Sequence, residues 1–225
     1  LVCWNALIAR FAQQGLANEA LKCFRLMQSE GHSPDTITLT CILMACGHTQ
    51  DIDKGQQIHE EIVRRGLWSN DITLANALMD MYVKCGMLGK AEEVIKELPN
   101  QNIVSWSTLI TGYADHEQGH EALECFERMQ IQGLSPNAVT FICLLKACGR
   151  TGAIELGKRI HDEVDNRNLL DENIVLGNTL VDMYAKCDML AKAQEVLESL
   201  PTRNEVTWNA LIGGYAQQGQ GHEML

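Results

Sequence analysis

The feature that most constrains this chain is that it repeats itself. VCWNALI at 2–8 returns as VSWSTLI at 104–110 and as VTWNALI at 206–212. ALMDMYVKCGML at 77–88 returns as TLVDMYAKCDML at 179–190, and KGQQIHEEI at 54–62 as LGKRIHDEV at 156–164. Each offset, as from residue 2 to residue 104, is 102 residues. A chain with a fixed period is built from units that cannot bury their apolar faces alone and must stack on copies of themselves.

Shorter units lie inside that period. Residues 1–35, 36–71 and 72–102 form one cycle of 35, 36 and 31 residues, and 103–137, 138–173 and 174–204 form the next. A truncated unit, 205–225, follows. In the first unit Trp4, Leu7, Ile8 and Phe11 recur at i, i+3, i+4, i+7, the spacing of one buried helical face. Gly15 marks a break, Ala20, Phe24 and Met27 form a second stripe, and Gly31 with Pro34 stop it. Each unit is thus expected to be a helical hairpin, and the chain an all-α solenoid of six full hairpins and one cut one. An apolar content of 46% is that of a folded protein, which excludes disorder. No apolar run is long enough to span a bilayer, and no signal or transit segment is visible.

Two features invite a metal reading. HEQGH at 116–120 matches H-E-x-x-H, which on one continuous helix would place two zinc-binding imidazoles on one face beside a glutamate base. The 102-residue offset aligns it with QGLAN at 14–18, where Gly15 breaks the hairpin, and Gly119 weakens a continuous helix further. A solvated turn is therefore expected at HEQGH, and a zinc hydrolase at His116 and His120 is the lesser alternative. The nine cysteines are odd in number, contain no C-x-x-C and sit mostly among apolar residues, so reduced thiols packed as small hydrophobes are expected. No cofactor and no metal site is expected.

With the period fixed, the chain resembles the pentatricopeptide repeat family. The alternation of 35, 36 and 31 residues looks like the P, L and S motifs of its PLS subclass. WNALIARFAQQG…EALKCFRLM resembles a P motif, ILMACGHTQDIDKGQQIHEEIV and LLKACGRTGAIELGKRIHDEV resemble L motifs, and NALMDMYVKCGMLGKAEEVIKELP and NTLVDMYAKCDMLAKAQEVLESLP resemble S motifs. The resemblance covers the whole chain. It implies a right-handed superhelical solenoid of tandem helix-turn-helix hairpins, an α-α superhelix, that binds single-stranded RNA at one base per repeat. It further implies a place in plant mitochondria or chloroplasts, as the recognition part of a C-to-U RNA editing factor whose targeting peptide is not in this fragment.

By the same resemblance, three positions in each repeat matter. The second is a wedge between successive bases: Val2, Ile37, Thr73, Val104, Val139, Val175 and Val206. Six of these seven are β-branched aliphatics, stiff side chains that lose little rotamer entropy when ordered. The fifth position reads the base: Asn5, Thr40, Asn76, Ser107, Asn178 and Asn209, with the apolar Ile142 breaking the series. Amides and hydroxyls supply the donors and acceptors that a Watson–Crick edge requires. The last position is Asp35, Asp71, Asn102, Asn137, Asn173 and Asn204. Asp and Asn also suit the turn before a helix, and both roles can coexist. The family's pairing preferences give U for Asn5/Asp35, G for Thr40/Asp71, C with U tolerated for Asn76/Asn102 and A for Ser107/Asn137. Ile142/Asn173 reads no base and Asn178/Asn204 reads C or U, so the implied 5′-to-3′ ligand is U-G-C-A-N-Y.

Charge sets a limit on this reading. At −11 the chain is no general polyanion binder, because non-specific affinity comes from Lys and Arg on phosphates. First helices carry few charges, Arg10, Lys84, Lys146 and Lys186 against Asp80, Asp115 and Asp182, while EEVIKEL and HDEVDNRNLLDEN place acid on second helices and turns. A near-neutral groove is therefore expected behind an acidic exterior. The family's associated deaminase needs H-x-E and P-C-x-x-C around zinc. HEE at 59–61 and HDE at 161–163 match the first, but they sit at equivalent repeat positions and no C-x-x-C completes either, so no catalytic centre is expected here. The rival reading is a protein-binding solenoid of the tetratricopeptide type, which the unequal unit lengths disfavour. The resemblance also implies a MORF/RIP-type editing-factor protein as a partner at the L repeats.

Overall fold

The computed structural model describes residues 2–67, 71–99, 101–171 and 173–217, and among them there are thirteen helices and no strand. The first three expected repeats each contain two: α1 (Val2–Gln13) and α2 (Ala17–Ser29), α3 (Thr36–Thr49) and α4 (Ile52–Arg64), α5 (Ile72–Lys84) and α6 (Leu88–Glu97). The next three contain α7 (Ile103–Asp115) and α8 (Gly119–Ile131), α9 (Ala138–Thr151) and α10 (Ile154–Asn166), α11 (Ile174–Lys186) and α12 (Leu190–Ser199). The last is α13 (Glu205–Gln217). The 31-residue units are short because α6 and α12 run only ten residues. Each stops at a leucine, Leu98 or Leu200, in extended backbone, because a proline follows it and disfavours helical backbone there.

The chain forms two compact units, Leu1–Gly112 and Tyr113–Leu225, with the boundary inside α7. In the first, α1, α3 and α5 pack in succession as one layer, and α2 and α4 each pack against the first helices on both sides of them. In the second, α9, α11 and α13 form the same kind of layer, with α12 packed on both α11 and α13. The stacking follows from the apolar stripes. Leu39, Ile42 and Leu43 of α3 are wholly buried, each worth roughly 1.5–3 kcal/mol of burial. On α1 the expected face is only partly covered: Ile8 is buried but Leu7 is 41% exposed. The helices approach closely where small residues meet, as at Gly214 of α13, where a Cβ would lie 2.7 Å from the Cβ of Ala185.

Candidate nucleic-acid interface

The last residue of each repeat is set by the helix that follows it. Asp35, Asp71, Asn137 and Asn173 are the N-caps of α3, α5, α9 and α11, each accepting a backbone N–H of the first turn. Asn102 and Asn204 do the same for α7 and α13, taking the amides of Ser105 and Thr207 at 2.9 and 3.0 Å. The turn role considered for these residues is thus realised in every repeat.

Three of these caps extend into a network the sequence did not announce. Asn5 donates from Nδ2 to Asp35 Oδ2 at 2.5 Å, and its Oδ1 accepts the hydroxyl of Thr38 at 2.5 Å. Asn178 donates to Asn204 Oδ1 at 3.2 Å and accepts from the Thr207 hydroxyl at 2.5 Å. Asn76 accepts from the Ser105 hydroxyl at 2.7 Å, which also lies 3.1 Å from Asn102 Oδ1. Thr38, Ser105 and Thr207 have no solvent exposure. The fifth residue, the last residue and a hydroxyl three positions further on therefore form one unit. Thr140, also buried, bonds Asn137 through both its amide and its hydroxyl at 2.9 Å.

Polarity runs through this network in one direction. A backbone N–H can only donate, so the cap atom facing it is an oxygen. At Asn5 and Asn178 that oxygen, or its carboxylate partner, accepts the fifth residue's NH2, which leaves the amide carbonyl toward the hydroxyl, and the hydroxyl donates. At Asp35, burial raises the carboxyl pKa, but the Thr38 amide and hydroxyl and the Asn5 amide outweigh it and hold the group below its ordinary value.

The 36-residue units differ. After Asp71 and Asn173 the corresponding residue is Leu74 or Leu176, buried and without a hydroxyl. Thr40 turns its hydroxyl onto the Thr36 carbonyl of its own helix at 2.8 Å, and Asp71 accepts the amides of Thr73 and Leu74. Ile142 is half-buried and offers nothing polar.

The second positions are exposed. Ile37, Val104, Val139, Val175 and Val206 keep between 53% and 59% of their surface in solvent, an unusual state for recurring aliphatics, and Thr73 is exposed too. The side chain of Val2 lies outside the described residues. In the second unit the three kinds of position converge. One open groove of about 550 Å³ is lined by Val175 and Val206, by Asn178 and Asn209, and by Asn204. Lys146 and Asp182 complete its polar rim. Charge cancels locally, since Lys186 pairs with Asp182 at 2.6 Å and, in the first unit, Lys84 with Asp80 at 2.7 Å. Ser107 is half-buried on α7 and Asn137 is exposed ahead of α9.

HEQGH straddles a turn, as expected, but by a different residue. α7 ends at Asp115, Glu117 takes the left-handed backbone at φ 62°, and Gly119 is already helical in α8. Gly119 serves packing instead, since a Cβ there would meet Thr151 Cγ2 at 2.7 Å. The H-x-E histidines have structural partners: His59 and His161 bond the hydroxyls of Tyr82 and Tyr184 at 2.8 and 2.9 Å.

Known proteins place these repeats. The sequence profile of the PPR repeat family matches residues 1–48 and 101–150, and that of the PPR repeat matches 37–67, 74–103, 178–204 and 206–225. The chain belongs to the pentatricopeptide repeat family. A putative mitochondrial pentatricopeptide repeat-containing protein of Arabidopsis thaliana is 37% identical over the full chain, a second mitochondrial one 35% over 97% of it, and a chloroplastic one 33% over the full chain. The chain spans 36% of the length of each. The crystal structure of the pentatricopeptide repeat protein PPR10 in complex with an 18-nt psaJ RNA element superposes with a TM-score of 0.83 over 98% of this chain and 33% of that one, at 23% identity. The PPR domain of Arabidopsis thaliana protein-only RNase P 1, in complex with tRNA, superposes at 0.55 over 93% of this chain and 95% of that domain, at 12% identity. The fold is the all-α solenoid of tandem hairpins expected from the period.

Proposed function

We propose that this chain binds single-stranded RNA at one base per repeat, and that it is the recognition segment of an organellar C-to-U editing factor. The observation that carries the reading is the groove on which Val175, Val206, Asn178, Asn209 and Asn204 converge. Exposed stiff aliphatics beside oriented amides are what unstacked bases need, a wedge and an edge partner. Polarity then assigns bases. Asp35 has only oxygens to offer and accepts, so its base donates from its central ring nitrogen, as uracil does. Asn102 and Asn204 turn an oxygen to the cap amide, which leaves their NH2 to donate to a ring nitrogen that accepts, as in cytosine. With the family's preferences at the remaining repeats the ligand is U-G-C-A-N-Y.

The repeats are those bounded at residues 35, 71, 102, 137, 173 and 204, in the order P, L, S, P, L, S, with a P repeat from 205. The L repeats, after which Leu74 and Leu176 stand in place of the bonded hydroxyl, contribute least to base choice and are the surfaces open to a MORF/RIP-type partner protein. The relatives named as mitochondrial and chloroplastic support an organellar setting. The segment itself performs no catalysis; any deaminase belongs to a longer protein or a partner.

Selection of RNA from a random single-stranded pool by the 225-residue chain, followed by Asn76→Thr, tests the reading. The substitution shifts the third base from C toward A and leaves the others alone. An unchanged third base, in a variant that folds and binds, overturns the assignment.

A further inference from the structure

We infer that the buried hydroxyl three residues beyond each reading pair is a positioning residue for base choice: Thr38, Ser105 and Thr207 hold the carbonyls of Asn5, Asn76 and Asn178, and so decide which way each amide faces the groove. This rests on the RNA-reading proposal above. An unrestrained asparagine amide turns about its last torsion between two nearly equivalent orientations and offers donor and acceptor alike. A base edge would then meet either atom, and discrimination between a donating and an accepting base would fall. Asn5 and Asn178 are tied at both ends and Asn76 at its carbonyl, so the amide is ordered before RNA arrives, and binding need not supply that ordering.

A purely structural role for the hydroxyl is contradicted by the repeats that lack it. Capping needs only the backbone N–H, and Leu74 and Leu176 supply theirs to Asp71 and Asn173 at 3.2 and 3.1 Å. These leucines are buried at the same position, so the fold accepts an apolar residue there. The hydroxyl is absent where the fifth residue, Thr40 or Ile142, has no amide to hold. It is present behind Asn5, Asn76 and Asn178, where it lies 2.5, 2.7 and 2.5 Å from the asparagine's carbonyl, closer than the 2.9, 3.1 and 3.1 Å to the cap oxygen. Thr140, behind Asn137, is a hydroxyl that follows a fifth residue without an amide, Ser107; at Thr38, Ser105 and Thr207 the hydroxyl is matched to the asparagine of the repeat before it.

The test uses the 225-residue chain, its Ser105→Ala and Ser105→Thr variants, and four RNAs that differ only at the third base of U-G-C-A-N-Y. The same four-way comparison at the sixth base, opposite Asn178, is the internal control. In the parent, C binds about tenfold or more tighter than A or G at the third base. In Ser105→Ala this ratio shrinks to about threefold or less while the sixth-base ratio holds, and Ser105→Thr restores it. A folded Ser105→Ala that discriminates like the parent overturns the inference and leaves RNA reading intact. Equal loss at both bases makes the hydroxyl merely structural and also overturns it. A parent with no preference at the third base overturns the RNA reading itself, and the inference with it. Should Ser105→Ala not fold, Thr207→Val takes its place, with the sixth base as the readout and the third as the control, and the same outcomes support or overturn the inference.

Discussion

Every described hairpin turns on a residue with left-handed backbone, yet glycine fills only part of these places. Gly15, Gly66, Gly86 and Gly152 have positive φ, and their counterparts one cycle away are Glu117, Asn168, Asp188 and Gln50, at φ between 52° and 62°. Asn and Asp tolerate this region; for the others it costs roughly 1–2 kcal/mol. Glu117→Gly should therefore raise stability by about 0.5–1 kcal/mol, less than the full strain because glycine also loosens the unfolded chain. Urea unfolding checks it, and a lower midpoint would mean that the Glu117 side chain repays its own strain. The same position shows how far the sequence is legible. The turn at HEQGH follows from alignment with Gly15, but Gly119 does not make it, because a glycine in sequence does not say whether it serves a turn or a close contact. The hydroxyls of Thr38, Ser105 and Thr207 escape a sequence reading for a related reason. Short polar residues near helix starts already have a local explanation, and only coordinates tie them to an asparagine about thirty residues away. Their recurrence, Thr38 with Thr140 and Ser105 with Thr207, is the signal the sequence does carry.

Among elements, the junction between a 36-residue unit and the 31-residue unit after it is built the same way twice. His59 of α4 meets Tyr82 of α5, and His161 of α10 meets Tyr184 of α11, edge to face with ring centroids 5.7 and 5.6 Å apart. Burial pushes both tyrosines up to about 12, so their hydroxyls stay protonated and donate to the imidazole Nδ1. Burial is also the largest influence on both histidines and lowers their pKa. Glu97, Glu60 and Glu93 oppose it at His59 and Lys90 adds to it; at His161 Asp165, Asp162 and Glu195 oppose it and Lys192 adds to it. A histidine whose pKa falls on folding binds protons more readily when unfolded. Its stabilisation is complete above the ordinary value of 6.5 and is lost as pH falls from there toward the lowered folded value. Stability should therefore decline as pH falls below the ordinary histidine value of 6.5, before the carboxylate Asp35, ordinarily at 3.8 and lowered here, begins to matter. Urea titrations across that range check this, and the decline should be reduced in a His59→Gln, His161→Gln double variant; an unchanged slope would place the titration elsewhere. Helix existence and pairing at this junction are legible from apolar spacing. The His–Tyr contact is not, because the H-x-E pattern draws attention to chemistry rather than packing.

For the molecule as a whole, charge decides what kind of binding is possible. With a net charge of −11, each phosphate that approaches meets a repulsive background, and the groove lysines do little against it. Lys84 and Lys186 are tied to Asp80 and Asp182, and Lys146 shares its groove with Asp182. Binding by wedges and amides makes few phosphate contacts, and each contact on a single strand contributes a slope of about −0.7 in log K against log salt. The expected slope for U-G-C-A-N-Y is therefore shallow, about −1 to −2, and preference among bases at the third position should persist as salt rises while overall affinity falls only modestly. Dissociation constants measured between about 50 and 200 mM salt, on the matched RNA and on one with the third base changed, check both statements. A slope steeper than about −4 would require several unpaired cations on the RNA. It would move the binding surface away from the groove of Val175, Asn178, Asn204, Val206 and Asn209, and with it the assignment of one base to each repeat.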